Sequence, residues 1–200
     1  QAADMSSARE RGIESLGRRV WFAAPKSEGA NTTARLRDIE VCNEARKILA
    51  RMTNCVLDEV MAPALSAAQQ AFLKGRDIVR NNVKLHAKFR DLEARAAKGN
   101  VSLDDLGMLL LLDCTKGFNL LDHDWLSRCM EAAQLPKEIR EMVAALIQGD
   151  AVLMLDRQEQ GAVRFQNGLP QGCPLSCFLY ILAIDPLLAE LRENLPRLVT

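Results

Sequence analysis

The sequence predicts a helix-dominated α+β chain. Three observations carry that expectation. Two long stretches repeat apolar residues at helical spacing. Two short apolar segments flank a polar, Gly-containing link. A Leu-rich run of strand length ends in an aspartate. In chain order, residues 1–17 are expected to be poorly ordered, and Arg18-Arg19-Val20-Trp21-Phe22 reads as a short strand. Pro25 and the stretch Ser27-Glu28-Gly29-Ala30-Asn31 read as a loop. A helix is expected from Ile39 to Met61, because Val41, Ala45, Ile48, Leu49, Met52, Val56 and Val60 recur at its period; Pro63 ends or bends it. The segment from Gln69 to Arg76 is a connection with Gly75 at a turn, and a second long helix runs from Asp77 to Ala97, stopped by Gly99-Asn100.

Met108-Leu109-Leu110-Leu111-Leu112 reads as a strand buried on both faces, although a helical turn fits leucine equally well. Two helices follow, near Asp124–Ala133 and Pro136–Ile147, the second with Pro136 early and Glu138 near the positive end of its dipole. Ala151–Asp156 and Ala162–Gln166 form a hairpin, Gly168–Gly172 a turn, and Pro174 to about Glu193 the last helix. No repeat, low-complexity tract or long linker divides the chain.

Composition narrows the class. Apolar residues are 48% and charged residues 26%, as in a globular chain. With aromatics at 4%, the core must rest on Leu, Ile, Val, Met and Ala. No apolar run reaches the roughly 18 residues that span a bilayer, and no signal-peptide pattern opens the sequence. Net charge is zero but uneven. Residues 1–100 hold 18 Lys/Arg against 12 Asp/Glu, and residues 101–200 hold 8 against 14. A basic front half can meet phosphates and an acidic rear half can hold cations. Cys42, Cys55, Cys114, Cys129, Cys173 and Cys177 form no CxxC pair, so reduced, mostly buried thiols are expected rather than a zinc site or disulfide framework.

Two segments carry chemistry. Asp113, at the end of the Leu-rich run, is a carboxylate where packing asks for none. Nucleotidyl transfer with two divalent cations about 4 Å apart needs such a group, and hard cations take oxygen ligands. Taken alone, Asp113 fits a strand-end or helix-capping aspartate as well. The second segment is Asn167-Gly168-Leu169-Pro170-Gln171-Gly172-Cys173-Pro174-Leu175-Ser176, a rigid turn of two glycines and two prolines around a glutamine that can hydrogen-bond a base. In isolation it reads equally as a hairpin exit capping the last helix.

Together the two resemble a family. Asp113-Cys114-Thr115-Lys116-Gly117-Phe118-Asn119-Leu120-Leu121-Asp122-His123 resembles the first catalytic motif of LINE-type (non-LTR) retrotransposon reverse transcriptases, and Gly168–Ser176 resembles their next motif. Gln69-Gln70-Ala71-Phe72-Leu73-Lys74-Gly75-Arg76 is similar to their fingers motif. Arg37-Asp38-Ile39, with Asn43 and Arg46-Lys47-Ile48, is similar to a worn Arg-Pro-Ile segment. The four occur in the family's order, across about Arg18 to Leu191.

The resemblance implies helical fingers over residues 18–100 and an incomplete palm over 101–200. It implies an RNA-directed DNA polymerase that uses Mg²⁺ or Mn²⁺, an RNA template, a DNA primer and deoxynucleoside triphosphates. No membrane and no protein partner are implied, and the location is intracellular, nuclear or cytoplasmic. It makes Asp113 the catalytic metal ligand with the Cys114 carbonyl beside it, and Phe118 a steric gate against the 2′-hydroxyl. Gln171 and Gly172 line the nascent base pair, Arg37 lies near the triphosphate or the template, and Gly75, Arg76 and Lys26 lie on the template side. Four positions depart from the family's pattern: Asn119 for aspartate, Asp38 for proline, Ala71 for glycine and Gly117 for alanine. The family's Asp-Asp hairpin is expected shortly after Thr200, so the 200 residues alone are expected to be inactive. The alternative is a non-enzymatic, RNA-binding remnant with the same shape.

Overall fold

The computed structural model describes residues 19–25, 36–100, 102, 111–155 and 158–194. Residues 1–17, Lys26, the Ser27–Asn31 loop and Met108–Leu110, for which the sequence sets expectations, lie outside them. The elements in order are β1 (Arg19–Pro25), β2 (Leu36–Cys42), α1 (Glu44–Met61), α2 (Val79–Ala97), α3 (His123–Ala132), α4 (Lys137–Ile147), β3 (Asp150–Leu155), β4 (Gln158–Arg164) and α5 (Ser176–Asn194). The chain is therefore α+β and helix-dominated among the described residues.

The strands make one sheet in the order β2-β1-β3-β4. β1 and β2 are antiparallel from Arg19↔Cys42 to Pro25↔Leu36, while β1 runs parallel to β3 through Arg19↔Ala151 and Trp21↔Leu153. The β3–β4 hairpin carries a bulge at Leu153/Met154, beside Gly161 at φ +138. Arg19 stitches these strands together. Buried at 2% exposure, it lies 2.6 Å from Glu40 of β2, donates to the Gly149 carbonyl at 3.1 Å and sits over the Phe165 ring at 5.4 Å.

Ile39–Cys42 belongs to β2 and not to the following helix, which corrects the expected helix start. Asp38, Ile39, Glu40 and Val41 alternate at period two, with β-branched residues on one side. Asn43 then starts α1, its side chain accepting from the Arg46 N–H at 2.8 Å.

The buried face of α1 also differs from expectation. Arg46, Ala50, Thr53, Leu57 and Met61 face inward, while Ile48, Met52, Val56 and Val60 are exposed. Arg46 is tolerated inside because its guanidinium donates to the Leu146 carbonyl at the end of α4. α2 ends where expected, at Ala97, but starts two residues late, at Val79, and buries none of its residues.

α3 and α4 match expectation within a residue or two. Asp122 caps α3 by accepting from the Trp125 N–H at 2.7 Å. α5 contains Pro186, which takes one N–H out of the helical ladder; one turn upstream the Trp125 indole donates to the Ala183 carbonyl at 3.0 Å. The core sits where α1, α3, α4 and α5 meet, around Ala50, Leu57, Leu126, Val143, Leu146, Leu175, Phe178 and Leu179.

The expected buried strand before Asp113 is not formed by its described part. Leu111 and Leu112 are 81% and 69% exposed and lie outside the sheet. A strand needs a ladder partner and cover for its faces, and none of β1–β4 pairs with this run.

Candidate active site

Two segments separated by about fifty residues meet at one place. The Leu169 N–H donates to the Phe118 carbonyl at 2.7 Å, and the Gly168 N–H donates to the Leu121 carbonyl at 2.7 Å. Asp122 and Asn167 form an isolated antiparallel bridge, and the buried His123 donates through Nε2 to the Gly168 carbonyl at 2.7 Å. Gly168 is required at this junction. Its φ is +88, and a Cβ there would lie 2.5 Å from the Asn119 carbonyl oxygen.

The turn itself is held from three sides. The Ser176 hydroxyl donates to the Pro170 carbonyl at 2.8 Å, the Gln171 amide donates to the Asn119 side-chain oxygen at 3.0 Å, and the Glu40 N–H of β2 donates to the Gln171 carbonyl at 3.0 Å. Gly172, at φ +111, lets that strand approach, since a Cβ would meet the Glu40 oxygen at 2.7 Å. Cys173 is buried beneath the turn. Burial pushes its thiol up, against the opposing pull of a Leu175 backbone hydrogen bond and the Arg46 charge.

On the other side of the junction, Phe118 is half-buried and stacks on Tyr180 of α5, with ring centroids 4.6 Å apart and planes 16° apart. The Tyr180 hydroxyl lies near the Cys114 side chain and feels the Asp113 charge. Burial first, then Cys114 and Asp113, push its phenol up to about 12. Asp113 and Cys114 are exposed. Among the described residues no group of three or more His, Cys, Asp or Glu side chains is arranged to hold a metal ion.

The sequence-predicted residues Asp113, Cys114, Phe118, Gln171 and Gly172 thus share one neighbourhood. Arg37 is exposed on β2, three residues and roughly 10 Å along the strand from Glu40. Gly75 makes a left-handed turn at φ +76 with nothing within 4 Å of its would-be Cβ.

Arg76 is turned to the protein. Its guanidinium donates to the carbonyls of Ser66, Gln69, Ala62 and Leu65 at 2.5–3.1 Å, which fastens the connection after α1. Tyr180 and Glu40 were not anticipated. The available signal was helical spacing, because Tyr180 lies one turn beyond Ser176 on the same side of α5.

Residues 24–199 match the family described as reverse transcriptase (RNA-dependent DNA polymerase), and the chain belongs to that family. A transposon protein of Xenopus laevis, the Transposon TX1 uncharacterized 149 kDa protein, is 30% identical over 186 residues, which is 92% of this chain and 14% of that protein. With the motifs above, the chain is a reverse transcriptase domain of the non-LTR retrotransposon kind. It spans about one seventh of the length of that relative.

Proposed function

We infer that this chain forms the fingers and front palm of an RNA-directed DNA polymerase, acting as part of a longer protein. The observation that carries the reading is the junction of the two motifs, where Phe118, Asn119 and Gln171 come together next to Asp113. Residues 18–100 act as fingers and 101–200 as palm. By sheet pairing, the 150–164 hairpin goes with the N-terminal strands.

In this reading the Asp113 carboxylate and the Cys114 carbonyl are hard oxygen donors suited to Mg²⁺ or Mn²⁺, and the exposed carboxylate is open to solvent ions. The bound ions supply charge neutralisation of the triphosphate and alignment for in-line attack. The chain's own residues do the rest. Phe118 presents its ring to the sugar and excludes a 2′-hydroxyl. Gln171, held by Asn119, and Gly172, which has no side chain, bound the nascent base pair. Arg37, on the exposed face of β2, meets the triphosphate, and the segment that Gly75 and Arg76 shape meets the template with Lys26. The primer 3′-hydroxyl attacks the α-phosphate of a deoxynucleoside triphosphate and pyrophosphate leaves. Asp113 alone is too few carboxylates for this, so the activity is assigned to the longer chain, acting inside the cell.

The test uses the chain extended along its natural coding sequence, with a DNA primer annealed to an RNA template. Extension that requires deoxynucleotides and divalent cations, and that EDTA abolishes, is the expected result. Salt-sensitive RNA binding without extension would replace this reading by that of a non-enzymatic RNA-binding domain.

A further inference from the structure

Three contacts from the first motif converge on Tyr180, which itself lies outside both motifs. Its ring lies flat against Phe118 at 4.6 Å. Its hydroxyl reaches Cys114, the residue after Asp113. A Cβ on Gly117 would stand 2.5 Å from that hydroxyl and 3.0 Å from two ring carbons. The segment 113–118 is otherwise lightly held: residues 111–116 are exposed and irregular apart from a turn in which Lys116 takes φ +52. An aromatic ring on a packed helix, flanked by the buried Leu179 and Ile181, is the rigid surface this segment lies on.

We propose that Tyr180 is the positioning residue of the nucleotide-sugar pocket: its ring is the floor that fixes the angle of the Phe118 gate, its hydroxyl faces the Cys114 side chain next to Asp113, and Gly117 is glycine so that this ring can enter. Physical reach decides the last point. An alanine at position 117 would drive its methyl into the hydroxyl, well inside van der Waals contact. With phenylalanine at position 180 the 2.5 Å contact disappears and only the 3.0 Å contacts remain to be relaxed. Tyr180 and Gly117 are therefore one device, a larger residue on α5 matched by a smaller one on the loop. The gate discriminates by position. A ring that tilts by a fraction of an ångström ceases to clash with a 2′-hydroxyl, while deoxynucleotides, which lack the group, still fit.

This rests on the polymerase reading, and its test separates the two. In the chain carrying its natural C-terminal extension, primer extension is measured with a deoxynucleotide and with the matching ribonucleotide. Tyr180→Leu is expected to lower the deoxy-over-ribo preference about tenfold, chiefly by admitting the ribonucleotide. Gly117→Ala is expected to do the same, and adding Tyr180→Phe to Gly117→Ala is expected to restore most of the preference. A parallel set of thermal melts shows Gly117→Ala lowering Tm on its own and much less in combination with Tyr180→Phe. Extension by all variants with an unchanged preference in Tyr180→Leu would overturn the positioning role and leave the polymerase reading standing. Additive effects of Gly117→Ala and Tyr180→Phe on both Tm and preference would overturn the matched pair. Absence of extension by the unaltered extended chain overturns the polymerase reading and this proposal with it.

Discussion

Leu175 and Leu179, in and just after the Gly-Pro-rich turn, are 0% exposed, whereas Leu111 and Leu112, directly before the aspartate, stand mostly in solvent. The side chains are chemically identical, so the difference lies in what surrounds them. Residues 167–179 have partners within reach: the Phe118 and Leu121 carbonyls, the Glu40 N–H and the core formed by α1, α3 and α4. Residues 111–112 meet no strand of the sheet and no helix that covers them. An apolar run specifies burial only when a second surface is there to receive it. The half of the candidate site built on Gln171 and Gly172 is thus held on several sides by the described chain, whereas Asp113 and Cys114 stand exposed and Phe118 stacks on Tyr180.

That contrast predicts unequal sensitivity to mutation. Leu175→Ala removes a fully buried side chain and should destabilise by about 3 kcal/mol, whereas Leu112→Ala should shift stability by less than about 0.5 kcal/mol. Urea unfolding of the two variants reads the difference directly, and equal losses would mean the two regions are packed alike. Next in size are the glycines. Gly168→Ala combines a left-handed backbone with a clash against the Asn119 carbonyl and should cost about 2 kcal/mol, while Gly75→Ala, equally left-handed but with open space, should cost about 1 kcal/mol. Similar losses at the two sites would remove the junction's special tightness.

Thiol chemistry gives the smallest and most local contrast. Cys114 is exposed beside the aspartate and Cys173 is buried beneath the turn. Iodoacetamide at pH 8 should therefore modify Cys114 at least about tenfold faster than Cys173, as mass spectrometry of the digested protein would show. Comparable rates would place Cys173 in contact with solvent. The same burial has a linkage consequence. Cys129, Cys173 and Cys177 all have their thiols pushed up from 9.0 by burial. The folded state holds these protons more tightly than the unfolded chain, so the contribution is complete below pH 9 and is lost as pH rises above it. Stability should decline at alkaline pH, and replacing Cys173 by Ser should flatten the decline. An unchanged slope would contradict the assignment.

Local chemistry made much of this architecture legible from the sequence. Pro136 and Gly99 mark the start of α4 and the end of α2, and the hairpin was readable from its polar link. Asp113 stood out because packing asks for no carboxylate there, Gln171 because a rigid Gly-Pro turn surrounds it, and Phe118 only through the family resemblance. What could not be read depends on distant partners. Ile39 and Val41 fit a helical period as well as a strand, and only pairing with Phe22 and Val20 decides between them. Ile48, Met52, Val56 and Val60 form a better apolar stripe than Arg46, Ala50 and Thr53, yet the latter face the core. Arg46 finds its acceptor on Leu146, one hundred residues away. That Arg76 fastens four carbonyls after α1 was not legible either, because a guanidinium satisfies unpaired carbonyls after a helix as readily as it does phosphate. For Tyr180 the sequence offered only its helical spacing from Ser176, which says nothing of Phe118 lying over it.

The most direct measurement is Asp113→Asn in the extended natural chain, assayed for cation-dependent DNA synthesis on an RNA template. The substitution keeps size and hydrogen-bonding capacity at an exposed position, so folding should be unchanged by circular dichroism and melting. Synthesis should fall by about a thousandfold or more, with RNA binding retained. Undiminished synthesis by the folded Asp113→Asn protein would contradict the assignment of this junction as the polymerase site.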